Sequence, residues 1–253
     1  MLNTLYVGFS KEVELPPRGY LFIDDDVPEI PQSRVFDPTE HSFNPLKNID
    51  YRTARALSEL LYTISPQGEN TLTVRNGKRA LLKALLSAEP IEDVKGDDEV
   101  RGMIDDLLVS PLLRKVLCNP ENEFTVNGKS KIFARLNRAE IGEFDALVLG
   151  LFLMAHYNQQ LVIPDFGFYG RDAHVSLIRE GRLVAGVNTL AELPPKLRQA
   201  VLLVKEKKAA GATAEDAETL ATYMSGFARG QEGFNAYRDA AIVGRCRGNC
   251  SLQ

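Results

Sequence analysis

Three cysteines in 253 residues, Cys118, Cys246 and Cys250, are too few for a disulfide framework. A reducing, cytoplasmic setting is therefore the expectation. No N-terminal stretch joins a basic start to an apolar run, so no secretory signal is expected. The apolar run over residues 146–155 is too short to cross a bilayer, and no membrane-spanning segment is expected. Histidine is scarce: His41, His156 and His174 stand far apart, and no G-x-S-x-G signature accompanies them. Nothing local thus points to a Ser-His-Asp hydrolase. Cys246-x-x-x-Cys250 lacks the second ligand pair of a zinc site. Arg245 and Arg247 beside it read as a flexible basic tail or as a nonspecific nucleic-acid contact. The net charge of −4 argues against broad capture of nucleic acid and leaves room only for a local basic face. No fixed-period repeat is visible.

What is present is ordinary for a globular chain. Apolar content of 44% and charged content of 25% allow a substantial core. Short strands are expected at LYVGF, at YLFI and over residues 34–37 and 161–164. An apolar strand is expected over residues 183–187. Residues 27–45 read as irregular connection. Apolar periodicity predicts helices over residues 51–64, 79–88, 100–117 with a break at Pro111, 172–180 and 196–204. Leu72 to Val74 reads as a short apolar strand. Residues 124–126 and 131–136 flank Asn127-Gly128, the dipeptide that most favours a hairpin turn. Residues 140–157 form the clearest helix, apolar nearly all round and so buried on several sides. Residues 205–208 read as basic and solvated, residues 213–229 as a capped helix, and residues 230–253 as a mobile tail.

A strand with an acid at its tip is the strongest functional hint. LVIPDFGF, residues 161–168, puts Asp165 at the end of a buried apolar run, where parallel α/β folds hold their ligands. A turn or helix cap is the plainer use of such an acid. The natural companion is a phosphate loop, G-x-x-x-x-G-K-[ST], whose main-chain N–H groups cradle phosphates. It is absent. Gly128-Lys129-Ser130 has Glu123 where the first glycine belongs and reads as a hairpin turn. Asn76-Gly77-Lys78-Arg79 lies between an expected strand and helix, with Leu72 and Arg79 in place of the glycine and hydroxyl. Lys78 at a helix start could still draw an anion, and a simple turn is the plainer reading of the segment. Asp24, Asp25 and Asp26 follow YLFI and could hold a hard divalent cation or simply form a polar strand exit. Arg171, Asp172, His174, Arg179, Glu180 and Arg182 crowd the segment after Asp165. Guanidinium groups suit phosphates, and a salt-bridged helix surface is the alternative. Asn188 ends the strand that follows.

The order YLFIDDD, VFDPTEHSFNPL, an amphipathic helix, KIFARLNRAEIGEFDALVLGLFL, LVIPDFGF, IREGRLVAGVN and TLAELPPKLR resembles the motor core of the HerA/FtsK superfamily, especially type IV secretion coupling ATPases. The likeness spans residues 18–204. It implies that Asn44-Pro45-Leu46 is the segment after the second strand, that Asp165 matches one acid of the Mg²⁺- and water-handling strand, and that Asn188 stands near the polar sensor, usually Gln. The family's second acid, a glutamate, has no match, because the strand ends in Pro164-Asp165-Phe166. Its phosphate loop should precede YLFIDDD, and residues such as Val7-Gly8-Phe9-Ser10-Lys11 contain none. The resemblance therefore implies a degenerate member that has lost hydrolysis, since phosphoryl transfer rests on positioned charge.

The expectation is an α/β fold with a mainly parallel central sheet flanked by helices, P-loop NTPase-like, with a C-terminal helical extension. Residues 1–204 form the core and residues 205–253 the helix and tail. The expected function is that of a non-catalytic ATPase-like protein in assembly or nucleic-acid handling, of a mobile element or virus. The alternatives are a metal-dependent nuclease built on Asp24, Asp25 and Asp165 and a structural interaction protein. Whether the chain is an enzyme stays open. The candidate residues are Asp165 for catalysis, Lys78, Arg179, Arg182 and Asn188 for a nucleotide or anion, and Asp24 and Asp25 for a metal. A nucleotide or Mg²⁺ is the cofactor such a site would take. Nucleic acid or a homo-oligomeric assembly is the candidate partner.

Overall fold

The structure, a computed structural model, describes residues 4–8, 13–28, 33–64, 71–119, 121–126, 129–204, 206–224 and 232–243. Its strands are β1 (Thr4–Val7), β2 (Tyr20–Asp24), β3 (Arg34–Phe36), β4 (Ile132–Arg135), β5 (Gln160–Ile163), β6 (Leu183–Val187) and β7 (Glu206–Ala209). Its helices are α1 (Tyr51–Ile64), α2 (Thr71–Leu86), α3 (Asp98–Leu108), α4 (Pro111–Cys118), α5 (Arg138–Ile141), α6 (Glu143–His156), α7 (Phe166–Tyr169), α8 (Val175–Arg179), α9 (Pro195–Leu202), α10 (Ala214–Met224) and α11 (Glu232–Val243). The fold is α/β, with seven parallel strands and flanking helices. Strands of parallel sheets are covered on both faces and so read as unbroken apolar runs. β1, β5 and β6 are buried at every position, and β2 and β4 at all but the last.

The chain divides into two units, Met1–Pro17 with Gln160–Gln253, and Arg18–Gln159. In the first, the strand order is β5-β6-β1-β7, with Val7 opposite both Val187 and Ala209. β7 corrects the reading of residues 205–208 as a solvated basic stretch. Its charged side chains find partners: Thr4 Oγ1 donates to Glu206 Oε2 at 3.0 Å, and Lys208 Nζ reaches Glu14 Oε1 at 2.7 Å. Among the described residues β7 pairs with β1 alone, and a strand with one neighbour tolerates charge that a central strand does not. The tail contains α11, whose Phe234 and Tyr237 bury against Ala221 of α10.

In the second unit the strand order is β3-β4-β2. Phe133 of β4 packs between Tyr20 and Phe22 of β2, with ring centres 5.6 and 5.3 Å apart. α6 is the apolar helix the sequence announces, buried from Val148 through Met154, and it packs on α1 and α4. Ser110 caps α4 and donates to the buried Asp145 of α6 at 2.6 Å. Pro111 opens α4, so the expected break is a helix start. The hairpin does not form. Residues 124–126 hold no strand, and β4 pairs in parallel with β2 and β3 on its two sides. Phe124 N donates instead to Ser42 O at 2.8 Å, and its ring packs on Phe36 at 5.4 Å. Asn127-Gly128 itself lies outside the described residues.

Candidate functional site

β5, β6 and β1 run in parallel, Ile163 opposite Ala185 and Val187 opposite Val7. Their carboxyl ends therefore share one edge, which carries Gly8, Asp165 and Asn188. Past Pro164 the backbone turns, and Asp165 becomes the N-cap of the four-residue helix α7. Its Oδ1 accepts from Phe168 N at 3.3 Å. A capping carboxylate satisfies a main-chain donor that a helix start leaves orphaned. Asn188, exposed, donates its main-chain N–H to Glu192 Oε2 at 3.2 Å. The same Glu192 carboxylate closes on Gly167, where an added Cβ would lie 2.1 Å from Oε2. Glu192 thus joins the ends of β5 and β6. The sequence reading passed over it. Its only signal is Thr189, which caps the short 3₁₀ turn Leu190–Glu192 by accepting from Ala191 N. Asp216 of α10 reads in the sequence only as an acid in the first turn of a capped helix. It is 4% exposed and accepts from Leu190 N at 3.1 Å.

Gly8 leaves β1 with φ +87°. Its N–H donates to Val187 O at 2.9 Å. An added Cβ would meet Ala210 O at 2.2 Å, so the backbone of residues 210–212 closes that side of the glycine. A phosphate cradle needs the opposite: free N–H groups around an open hollow. Between Val7 and Tyr20 no helix begins among the described residues, although such a loop must feed one. The Gly8 N–H is therefore already taken, and one side of the glycine is closed by backbone.

Arg179 and Arg182 do not join this edge. They precede β6, so they lie at its amino end while Asn188 lies at its carboxyl end. Six residues of extended chain separate Arg182 from Asn188, about 20 Å. Arg182 is buried, and its Nη1 pairs with Glu180 Oε2 at 3.0 Å. Arg179 is exposed at the end of α8. Arg171 turns inward and donates from Nη1 to Phe168 O and Gly170 O, both at 2.8 Å. His174 Nδ1 accepts from Arg171 N at 3.1 Å. Burial, reinforced by the Arg171 charge, pushes the His174 imidazole down to about 3. It is a neutral core histidine.

The remaining candidates belong to the second unit. Asp24 ends β2, and its Oδ1 accepts from Asp25 N at 2.8 Å. The Asp25 carboxylate is held by Arg138: Nε reaches both oxygens at 2.9 and 3.1 Å, Nη2 reaches Oδ2 at 2.6 Å, and the main-chain N donates to Oδ1 at 3.0 Å. A guanidinium stands where a cation would have to bind. Among the described residues no group of three or more His, Cys, Asp or Glu side chains could hold a metal ion. Lys78 does not stand at a helix start. α2 begins at Thr71, so residues 72–74 are helical and Asn76-Gly77-Lys78-Arg79 lies inside the helix, its N–H groups within the helical ladder. The short TLTV stretch suits strand and helix alike; the continuous run into Leu81, Leu82 and Leu85 decides for helix. Lys78 Nζ sits 5.9 Å from the Tyr62 ring centre. His156, on α6, packs edge-on to Phe43 at 5.1 Å, and burial lowers it to about 4, as a core residue.

No protein-family model matches the chain, and no curated protein sequence does. Among solved structures it is similar to VirB4 of Thermoanaerobacter pseudethanolicus, with 13% sequence identity and a TM-score of 0.51. The match covers 96% of this chain and 84% of that one. At such identity the likeness speaks for the fold alone, an α/β arrangement of the P-loop NTPase kind.

Proposed function

We propose that this chain is a P-loop ATPase-like protein that does not hydrolyse nucleotide and works in an assembly or in nucleic-acid handling, in the setting of a mobile element or virus. The VirB4-like fold supports the architectural half of the reading. The backbone after β1 carries the other half. Gly8 N–H is already bonded to Val187 O, the far side of the glycine is filled by residues 210–212, and β1 passes to β2 with no helix in the described residues between them. Asp165 and Glu192 lie at the strand ends where a family member would handle Mg²⁺ and water, and both carboxylates accept main-chain N–H groups. On this reading Asp165 is a structural acid on an inherited scaffold, and Asn188 keeps the sensor position without a γ-phosphate to sense.

Calorimetric titration with Mg²⁺-ATP, paired with a phosphate-release assay, tests it. The expected result is no binding heat at millimolar-order nucleotide and no release above the buffer rate. Tight Mg²⁺-dependent binding with turnover that Asp165→Ala abolishes would overturn the reading.

A further inference from the structure

Between α1 and α2 lies a cavity of about 530 Å³, formed wholly within the Arg18–Gln159 unit. One wall is the α1 stripe of Tyr51, Arg55 and Glu59; the other is the α2 stripe of Arg75, Lys78 and Arg79. Residues three and four apart share a helix face, so each helix turns these groups toward the same groove. Four cationic side chains face one carboxylate, and that carboxylate is engaged: Arg55 Nε donates to Glu59 Oε1 at 3.1 Å. Arg55, Arg75 and Arg79 are exposed. Tyr51, at the first position of α1, is 62% exposed, although most large aromatic rings of this chain are buried.

We propose that this groove binds single-stranded nucleic acid, with Arg55, Arg75, Lys78 and Arg79 on the phosphates and Tyr51 stacking a base. A cationic groove combined with an exposed ring is the arrangement that single strands require, because every base has a face to stack and every nucleotide a charge to neutralise. A small anion would be better held by buried donors than by exposed guanidinium groups. An acidic peptide would use the cations and leave Tyr51 without a role. The negative net charge of the chain does not oppose this, since the contact is local and within a Debye length. The proposal is independent of the missing phosphate loop: a chain that hydrolysed ATP could carry the same groove.

The test is fluorescence anisotropy of a short labelled oligothymidylate, and of its RNA counterpart, titrated with the full chain across a salt series. Neutralising three to four phosphates gives a slope of log K against log salt of about −2 to −3. The double substitution Arg75→Glu and Arg79→Glu, both on exposed helix positions, weakens binding more than about tenfold and flattens the slope by about 1.4. Tyr51→Ala weakens it about 5- to 100-fold with the slope unchanged, and Tyr51→Phe retains the affinity. Circular dichroism confirms that the variants stay folded. Three results would each overturn the proposal: no binding at low salt, loss that follows Arg245→Ala with Arg247→Ala rather than the groove, or polyglutamate binding as tightly with no effect of Tyr51→Ala. ATP calorimetry reads the hydrolysis question separately, so either idea can fail without the other.

Discussion

The Tyr62 hydroxyl lies directly over Gly77: a Cβ added to the glycine would fall 1.6 Å from that oxygen. The same hydroxyl donates to Glu99 Oε1 at 2.8 Å, so Gly77 is the opening through which α1 reaches across α2 to the start of α3. In an exposed helix, Gly→Ala stabilises by up to about 1 kcal/mol. Here overpacking dominates, and Gly77→Ala should destabilise the protein by about 1–3 kcal/mol in urea unfolding. Adding Tyr62→Phe removes the nearest atom and should recover part of the loss; a stabilised Gly77→Ala protein would disprove the contact.

Gly8 is a second such position, for a different reason. Its φ of +87° disfavours any side chain, and Ala210 O stands 2.2 Å from the missing Cβ. Gly8→Ala should therefore cost about 2–4 kcal/mol, from backbone strain together with overpacking. Thermal unfolding would detect this as a drop of many degrees. A fully stable variant would mean that residues 210–212 do not close over the glycine.

Asp216 tests whether the acids around the strand ends are structural. Its side chain receives Leu190 N in a buried setting, 4% exposed. Asp216→Ala leaves that donor unsatisfied and should cost about 1–3 kcal/mol. Asp216→Asn keeps an acceptor and should cost less. Equal losses for the two would show that the charge, and not the accepted hydrogen bond, is what matters.

Two buried histidines set a pH dependence. Burial lowers His156 to about 4 and His174 to about 3, from an ordinary 6.5. In the unfolded chain both take up protons near pH 6.5, and in the folded chain they do not. The unfolded state binds more protons between these values, so stability rises with pH there. The contribution is complete above about pH 7 and is lost progressively as pH falls from 6.5 toward 4 and below. Urea midpoints measured across this window should fall with acidification. His174→Asn, which keeps an acceptor for Arg171 N, should flatten the slope.

Much of the scaffold could be read before any coordinates. The strand Leu183–Val187, the buried helix ending at His156 and the break at Pro111 follow from apolar runs and from proline, which act locally. The failures lie where partners distant in the chain decide. Glu206–Ala209 reads as solvent-loving until β1 stands beside it. Asn127-Gly128 promises a hairpin, but both sides of β4 are taken by β2 and β3. Asn76-Gly77-Lys78-Arg79 looks like a turn because nothing in the sequence shows Tyr62 approaching Gly77. Asp165 was legible at its strand end; its cap to Phe168 N was only the plainer of two uses. Glu192 carries no local mark beyond the threonine before its turn.

β1 has a further consequence, one of timing. Thr4 pairs with Val184 and with Glu206, the latter 202 residues away. The strands of Arg18–Gln159 pair β3 with β4 and β4 with β2 inside that unit. During synthesis that unit can close while β1 waits, apolar and unpaired, for the last third of the chain. Distant parallel pairing is slow to form, and an unpaired apolar strand is open to wrong partners meanwhile. The short length of β1, four residues, limits what a wrong partner could grip during that delay.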